Sequence, residues 1–170
     1  NNKKSVAIAL DTPQGRDLFL KLVPKVDVVV ENFTLGTMEK LGIGYDVLKE
    51  VNPAIIYATI KGFGTTGPYS EFKCFDMVAQ AASGAFSVTG EPDGPPMCPG
   101  PTLADSGTGV QAALAITAAY VQRLRTGEGQ QIEIAMQEAM TFYMRTRIAN
   151  GSEWGTRAVP RTGNGEGPML

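Results

Sequence analysis

Two continuous apolar runs constrain this chain most. Residues 26–30 read Val-Asp-Val-Val-Val, and residues 54–60 read Ala-Ile-Ile-Tyr-Ala-Thr-Ile, without polar–apolar alternation. A strand wetted on one face alternates, whereas a strand covered on both faces does not. Helical spacing surrounds both runs. Thr12 and Pro13 read as the cap and first turn of a helix over 13–23, with Leu18, Phe19 and Leu22 on its buried face. Short helices are expected over 35–41 and 45–51. This strand–helix–strand rhythm predicts an α/β fold, a parallel sheet with right-handed crossovers and flanking helices. A further short strand is expected at 5–9.

The second half continues the pattern. A helix is expected over 75–88, then a Pro/Gly loop over 91–102. A long Ala-rich helix should run from Asp105 to Arg125 and end at Thr126-Gly127. A strand over 131–135 and a helix over 136–148 follow. Beyond Asn150 the chain is rich in Gly, Pro and charge, and is not expected to fold compactly alone.

Composition narrows the chemistry. The 170 residues include no histidine and only two cysteines, so the commonest general base and metal ligand are missing. Cys74 and Cys98 form no metal-ligand spacing, and no metal site is expected. They read as free thiols of a reducing, cytoplasmic compartment, with a disulfide as the alternative. A net charge of −2 argues against a nucleic-acid or membrane surface. No apolar run is long enough to span a bilayer. The chain starts at Asn1-Asn2-Lys3-Lys4 without Met and stops at Met169-Leu170, and both ends are expected to be cuts in a longer parent.

In parallel sheets ligands sit at the carboxyl ends of strands. Three loops qualify: the one around Asp11, 31–34 and 61–64. Asn32 could bond a ligand's polar edge and Phe33 could stack on a flat ring, although Phe is more often core. Lys61 or Lys73 could meet phosphate as point charges, although a plain connector is the commoner use of such a loop. The stretch Gly163-Asn164-Gly165-Glu166-Gly167 lacks the Gly-Lys-Ser/Thr of a phosphate loop and reads as a flap or linker.

Asp105 stands out within Leu103-Ala104-Asp105-Ser106-Gly107-Thr108-Gly109. An Asp at a helix start is most often only an N-cap. An ionised carboxylate among glycines is also what a carboxylate nucleophile needs, and Gly107 and Gly109 permit close approach to the backbone. The spacing leaves both readings open.

The pieces together resemble the class III CoA-transferases (the CaiB/BaiF group, which includes formyl-CoA:oxalate transferase). The carriers are Val30-Glu31-Asn32-Phe33 with Gly36-Thr37-Met38-Glu39-Lys40-Leu41-Gly42, and Asn52-Pro53-Ala54-Ile55-Ile56-Tyr57. They continue with Lys61-Gly62-Phe63-Gly64 through Gly67-Pro68-Tyr69, and with Phe75-Asp76-Met77-Val78-Ala79-Gln80-Ala81. Ala104-Asp105-Ser106 and Arg125-Thr126-Gly127-Glu128-Gly129-Gln130 complete them. Their order and spacing, covering nearly the whole chain, make the match specific.

The resemblance implies a Rossmann-like large-domain segment over 1–150. Residues 151–170 would be a glycine-rich flap and linker toward a smaller domain outside the chain. It implies that Asp105 is the catalytic nucleophile, and that Gly163, Gly165 and Gly167 belong to a flap supplying oxyanion donors. Backbone N–H groups near Ser106-Gly107 are a second source of such donors. CoA contacts would come from Ile8, Asp11, Asn32, Phe33, Thr34, Lys40, Lys73 and Phe75, although the family often carries Lys where Asp11 stands. The implied reaction moves CoA from an acyl-CoA to a carboxylic acid, through aspartyl anhydride and aspartyl-CoA thioester intermediates. CoA thioesters would be substrates, with no tightly bound cofactor, and the full-length parent would be an interlocked homodimer. The family's 2-methylacyl-CoA racemase branch pairs the aspartate with a histidine where Phe75 stands here. Phenylalanine cannot take a proton, which favours transfer over racemisation. A non-catalytic CoA-binding subunit is the other alternative.

Overall fold

The computed structural model describes residues 2–165. The chain divides into two compact units, one of residues 1–60 and 113–133, the other of 61–112 and 134–170.

The first unit holds most of the sheet. Helix α1 (Pro13–Leu22) begins as the sequence predicts: Thr12 is extended and its hydroxyl accepts from the Gly15 N–H at 3.1 Å. The helix packs less deeply than expected, and Leu18 is half exposed. A 3₁₀ turn (Val23–Lys25) leads into strand β1 (Val28–Glu31). Helices α2 (Thr37–Lys40) and α3 (Tyr45–Val51) precede strand β2 (Ile56–Lys61). β1 and β2 pair in parallel, with Val28 opposite Ile56 and Glu31 opposite Thr59. The third strand, β3 (Gln130–Ala135), lies beside β2, giving the order β1-β2-β3. β2 is buried almost throughout, as its unbroken apolar run requires. The core gathers Val23, Met38, Ile43, Leu48, Ile55 and Tyr57. The Tyr45 and Tyr57 rings lie 5.8 Å apart, within the range of a favourable tilted pair.

The expected strand at 5–9 is absent: the segment has no strand geometry and is largely exposed. β-propensity makes a strand only where a ladder partner exists, and the three-stranded sheet offers it none.

The second unit is mainly helical. Helix α4 (Asp76–Ala82) is followed by a 3₁₀ turn (Phe86–Val88), so the single helix expected over 75–88 is divided. Gly84 between them has φ +88°, which ends α4. The long helix α5 (Leu103–Thr126) has residues in both units and stops at Gly127, φ +78°. Helices α6 (Met136–Tyr143) and α7 (Arg145–Trp154) replace the expected continuous helix. Among the described residues past 154, Arg161 and Gly163 are tied to the 87–94 segment. The Arg161 guanidinium donates to the carbonyls of Ser87, Glu91 and Gly94, and the Gly163 N–H donates to Gly90 O at 3.0 Å.

Within the first unit, Arg123 of α5 ties the starts of two strands together. Its guanidinium reaches Ala54 O at 3.2 Å, Asp27 O at 3.4 Å and the Asp27 carboxylate at 2.6 Å.

Candidate active site

Asp105 is not the residue before its helix. α5 begins two residues earlier, which places Asp105 in the third helical position and Thr102 at the cap. The amides of the second and third positions are the ones an N-cap side chain usually satisfies. Thr102 does not satisfy them, and its hydroxyl instead lies 3.2 Å from that of Ser106. The carboxylate of Asp76, 29 residues upstream of Asp105, supplies the acceptor instead. Its Oδ1 receives the N–H of Ala104 at 2.9 Å and that of Asp105 at 3.0 Å. Asp76 is the first residue of α4, so the ends of two helices share one carboxylate.

The capping task is therefore met from outside the helix, and the side chain of Asp105 is left over. It is exposed, and its carboxylate accepts no hydrogen bond among the described residues. Its charge reaches the Cys74 thiol: burial pushes that thiol above its ordinary value, and the Asp105 carboxylate pushes it further.

Close backbone approach builds the surroundings. A Cβ on Gly62 would lie 2.0 Å from Cys74 Cβ, so the loop after β2 can meet the 73–75 segment only as glycine. That contact brings the carboxyl end of a sheet strand to the residues that precede α4. A Cβ on Gly107 would lie 2.5 Å from Tyr143 Cε2, so the space beside Gly107 is filled by this chain's own ring. Gly109 faces open space, and a Cβ added there would meet nothing within 4 Å.

The other anticipated residues divide between the units. Lys73 and Phe75 lie in the second unit with Asp105, and both are exposed, Phe75 at 76%. Lys61 is buried at the end of β2. Ile8, Asp11, Asn32, Phe33, Thr34 and Lys40 lie in the first unit. Ile8 is half-buried and the rest are exposed. Glu31 shapes the loop after β1: its buried carboxylate takes the Phe33 N–H at 2.8 Å and the Thr59 hydroxyl. Burial, and then the charge of Glu31, push the Tyr57 phenol well above its ordinary value.

Two expected sources of oxyanion donors are engaged in this conformation. The Ser106 N–H closes the first turn of α5 on Thr102 O at 3.0 Å. In the flap, the Gly163 N–H is bonded to Gly90 O, and that of Gly165 to Thr162 O at 2.8 Å. Gly167 lies outside the described residues.

Sequence reasoning left Asp76 and Glu31 without a role. Each stands inside one of the family-like motifs and has one partner nearby, Phe33 or Gln80, but the partners that tie it to another element lie 28 or 29 residues away in the chain. The one local signal was an acidic residue beside a run bounded by strand or helix ends.

A family model, "CoA-transferase family III", matches residues 1–169. The chain belongs to CoA-transferase family III. It is 41% identical to a formyl-CoA:oxalate CoA-transferase of Streptomyces avermitilis, over 98% of this chain and 43% of that one. It is 42% identical to a succinate–glutarate CoA-transferase of Agrobacterium fabrum, over 87% of this chain and 37% of that one. The crystal structure of a CaiB/BaiF family protein from Brucella suis superimposes with a TM-score of 0.90 at 39% identity, covering 96% of this chain and 43% of that one. The chain thus spans well under half the length of these family members. The family match bears out the α/β fold with its parallel sheet. No helix of the described residues is long and apolar enough to cross a membrane.

Proposed function

We propose that this chain carries the nucleophile of a CoA-transferase that moves CoA from an acyl-CoA donor to a carboxylic acid. The observation that carries the reading is the Asp105 carboxylate, exposed and relieved of helix capping by Asp76, in a chain without histidine. Asp105 attacks the thioester carbonyl carbon, and the C–S bond breaks to release CoA thiolate, leaving a mixed anhydride. The thiolate attacks the aspartyl carbonyl, expelling the first acid as its carboxylate and forming an aspartyl-CoA thioester. The acceptor carboxylate attacks that thioester, and the released thiolate then takes the acceptor's acyl group, regenerating Asp105. One hard exchange becomes four acyl steps.

Several parts of the chain serve this reading. As the family resemblance implies, Asn32, Phe33 and Thr34 would line the CoA path, Lys40 would lie near the phosphates, Ile8 and Asp11 would meet the adenosine end, and Lys73 with Phe75 would lie near the pantetheine arm. Flap amides at Gly163, Gly165 and Gly167 would stabilise the oxyanions, at about 3 kcal/mol per well-placed donor. Gly163 and Gly165 must first release Gly90 and Thr162. The full-length parent acts as a homodimer in the cytoplasm. The names of its relatives make small carboxylic acids the first acceptors to try.

Phe75 favours transfer over racemisation, since its ring offers no second base. Asp105→Ala is expected to abolish CoA exchange between two acids while CoA affinity stays within about threefold. Hydroxylamine should trap the acyl-enzyme, with the adduct mapping to Asp105. Normal turnover of Asp105→Ala, or an adduct on another residue, removes this reading. Proton exchange at the α-carbon of a 2-methylacyl-CoA would point to the racemase, and CoA affinity without transfer for any acid pair would point to a binding subunit.

A further inference from the structure

The motif Phe75-Asp76-Met77-Val78-Ala79-Gln80-Ala81 holds two polar residues that the reaction above leaves unused. Four residues apart on α4, Asp76 and Gln80 share one face of the helix. Gln80 Nε2 donates to Asp76 Oδ2 at 2.5 Å and to Pro101 O at 3.1 Å. Both acceptors are oxygens that cannot donate, so the amide can be oriented only one way. That orientation leaves Gln80 Oε1 fully buried without a hydrogen-bond partner among the described residues. An apolar side chain would avoid the orphan oxygen, and what the amide gains in exchange is its grip on Asp76 and on the loop before α5.

The bonds form a closed ring. Gln80 holds Pro101, two residues before α5; the amides of Ala104 and Asp105 hold Asp76; and Asp76 returns to Gln80. We propose that Asp76, braced by Gln80, is the positioning residue for the Asp105 nucleophile. The physical basis is competition. Unsatisfied amides at a helix start attract the nearest carboxylate. Without Asp76 that carboxylate is Asp105 itself, already in the first turn, and a nucleophile drawn onto amides has its lone pairs occupied. Asp76 saturates those donors and fixes the backbone from which Asp105 projects, without touching the substrate. This inference rests on the reading of Asp105 as nucleophile and adds a role for a different pair of residues.

The test is made in the full-length protein that carries this sequence, with acyl-CoA binding, steady-state exchange and single-turnover trapping measured together. Asp76→Ala should lower kcat by about tenfold or more, with KM for acyl-CoA within about twofold. Its hydroxylamine-trapped adduct should still map to Asp105 and form more slowly by the same factor. Asp76→Asn, which keeps one acceptor oxygen, should fall between wild type and Asp76→Ala. Gln80→Met, which keeps the length and loses the brace, should also lower kcat, and should add little to Asp76→Ala in the double variant. If Asp76→Ala does not fold, Asp76→Asn and Gln80→Met decide. Unchanged kcat in folded variants overturns the proposal, as does a loss that merely follows the folded fraction. Inactive Asp105→Ala beside normal Asp76 and Gln80 variants removes the positioning role alone, whereas active Asp105→Ala removes the nucleophile itself.

Discussion

Replacing Gly107 and Gly109 by alanine should move stability in opposite directions, although the two lie two residues apart in α5. Alanine is better than glycine in a helix interior by about 0.8–1 kcal/mol. At Gly109 nothing lies within 4 Å of the new methyl, so the gain should be realised in full. At Gly107 the methyl would sit 2.5 Å from Tyr143 Cε2 and 3.0 Å from its Cζ and hydroxyl. Ordinary carbon contacts are about 3.5–4.0 Å, so the ring must retreat by about 1 Å. Tyr143 is 43% exposed, which lets the ring swing into water and sets a ceiling on the loss. A fully covered aromatic buries about 150–250 Å², so this ring covers roughly 100 Å², worth about 2.5 kcal/mol at ~25 cal/mol per Å². Against the helix gain, Gly107→Ala should therefore destabilise by about 1–1.5 kcal/mol while Gly109→Ala stabilises by about 1 kcal/mol. Urea unfolding with a shared m-value reads both. In a Tyr143→Ala background the Gly107→Ala change should turn stabilising, a coupling of about 2 kcal/mol. Two alanine variants within about 0.5 kcal/mol of each other would refute the packing argument.

Other consequences are equally direct. The raised Cys74 thiol should alkylate with iodoacetamide along a pH profile above that of an ordinary thiol. Because the Asp105 carboxylate disfavours the thiolate, Asp105→Asn should move that profile to lower pH, and peptide mapping that found no movement would contradict the proximity. Arg123→Ala should cost about 1–2 kcal/mol, since it leaves the Ala54 carbonyl without its donor and removes one of the two donors to the Asp27 carbonyl, which keeps the Ile56 N–H. Asp27→Asn should change stability by less than about 0.5 kcal/mol, because the Asp27 carboxylate is exposed and water screens its attraction to the more covered Arg123. Equal losses from the two would show that the charge pair, not the carbonyl bonds, holds the strands. The Asp105→Ala loss of exchange and the Asp76 kcat effect described above complete the set.

Much of this protein was legible in one dimension because its determinants are local or periodic. The unbroken apolar run at 54–60 forms a strand covered on both sides, whereas Val26 and Val30 of the run at 26–30 stay 40% and 52% exposed. Thr12 caps the helix that Pro13 opens because cap and amide are three residues apart. Motif order along the chain was sufficient for the family. The tertiary structure decided what depends on distant partners. Residues 5–9 have strand composition but no strand beside them, so they form none. A helix start cannot be read from its own residues when the acceptor for its amides arrives from 28 residues away. That is why the spacing leaves Asp105 open as a cap or as a nucleophile. The chain itself fixed which carboxylate stood there, and folding decided that Asp76 would do the capping, since a hydrogen bond depends on position in space rather than on spacing in sequence.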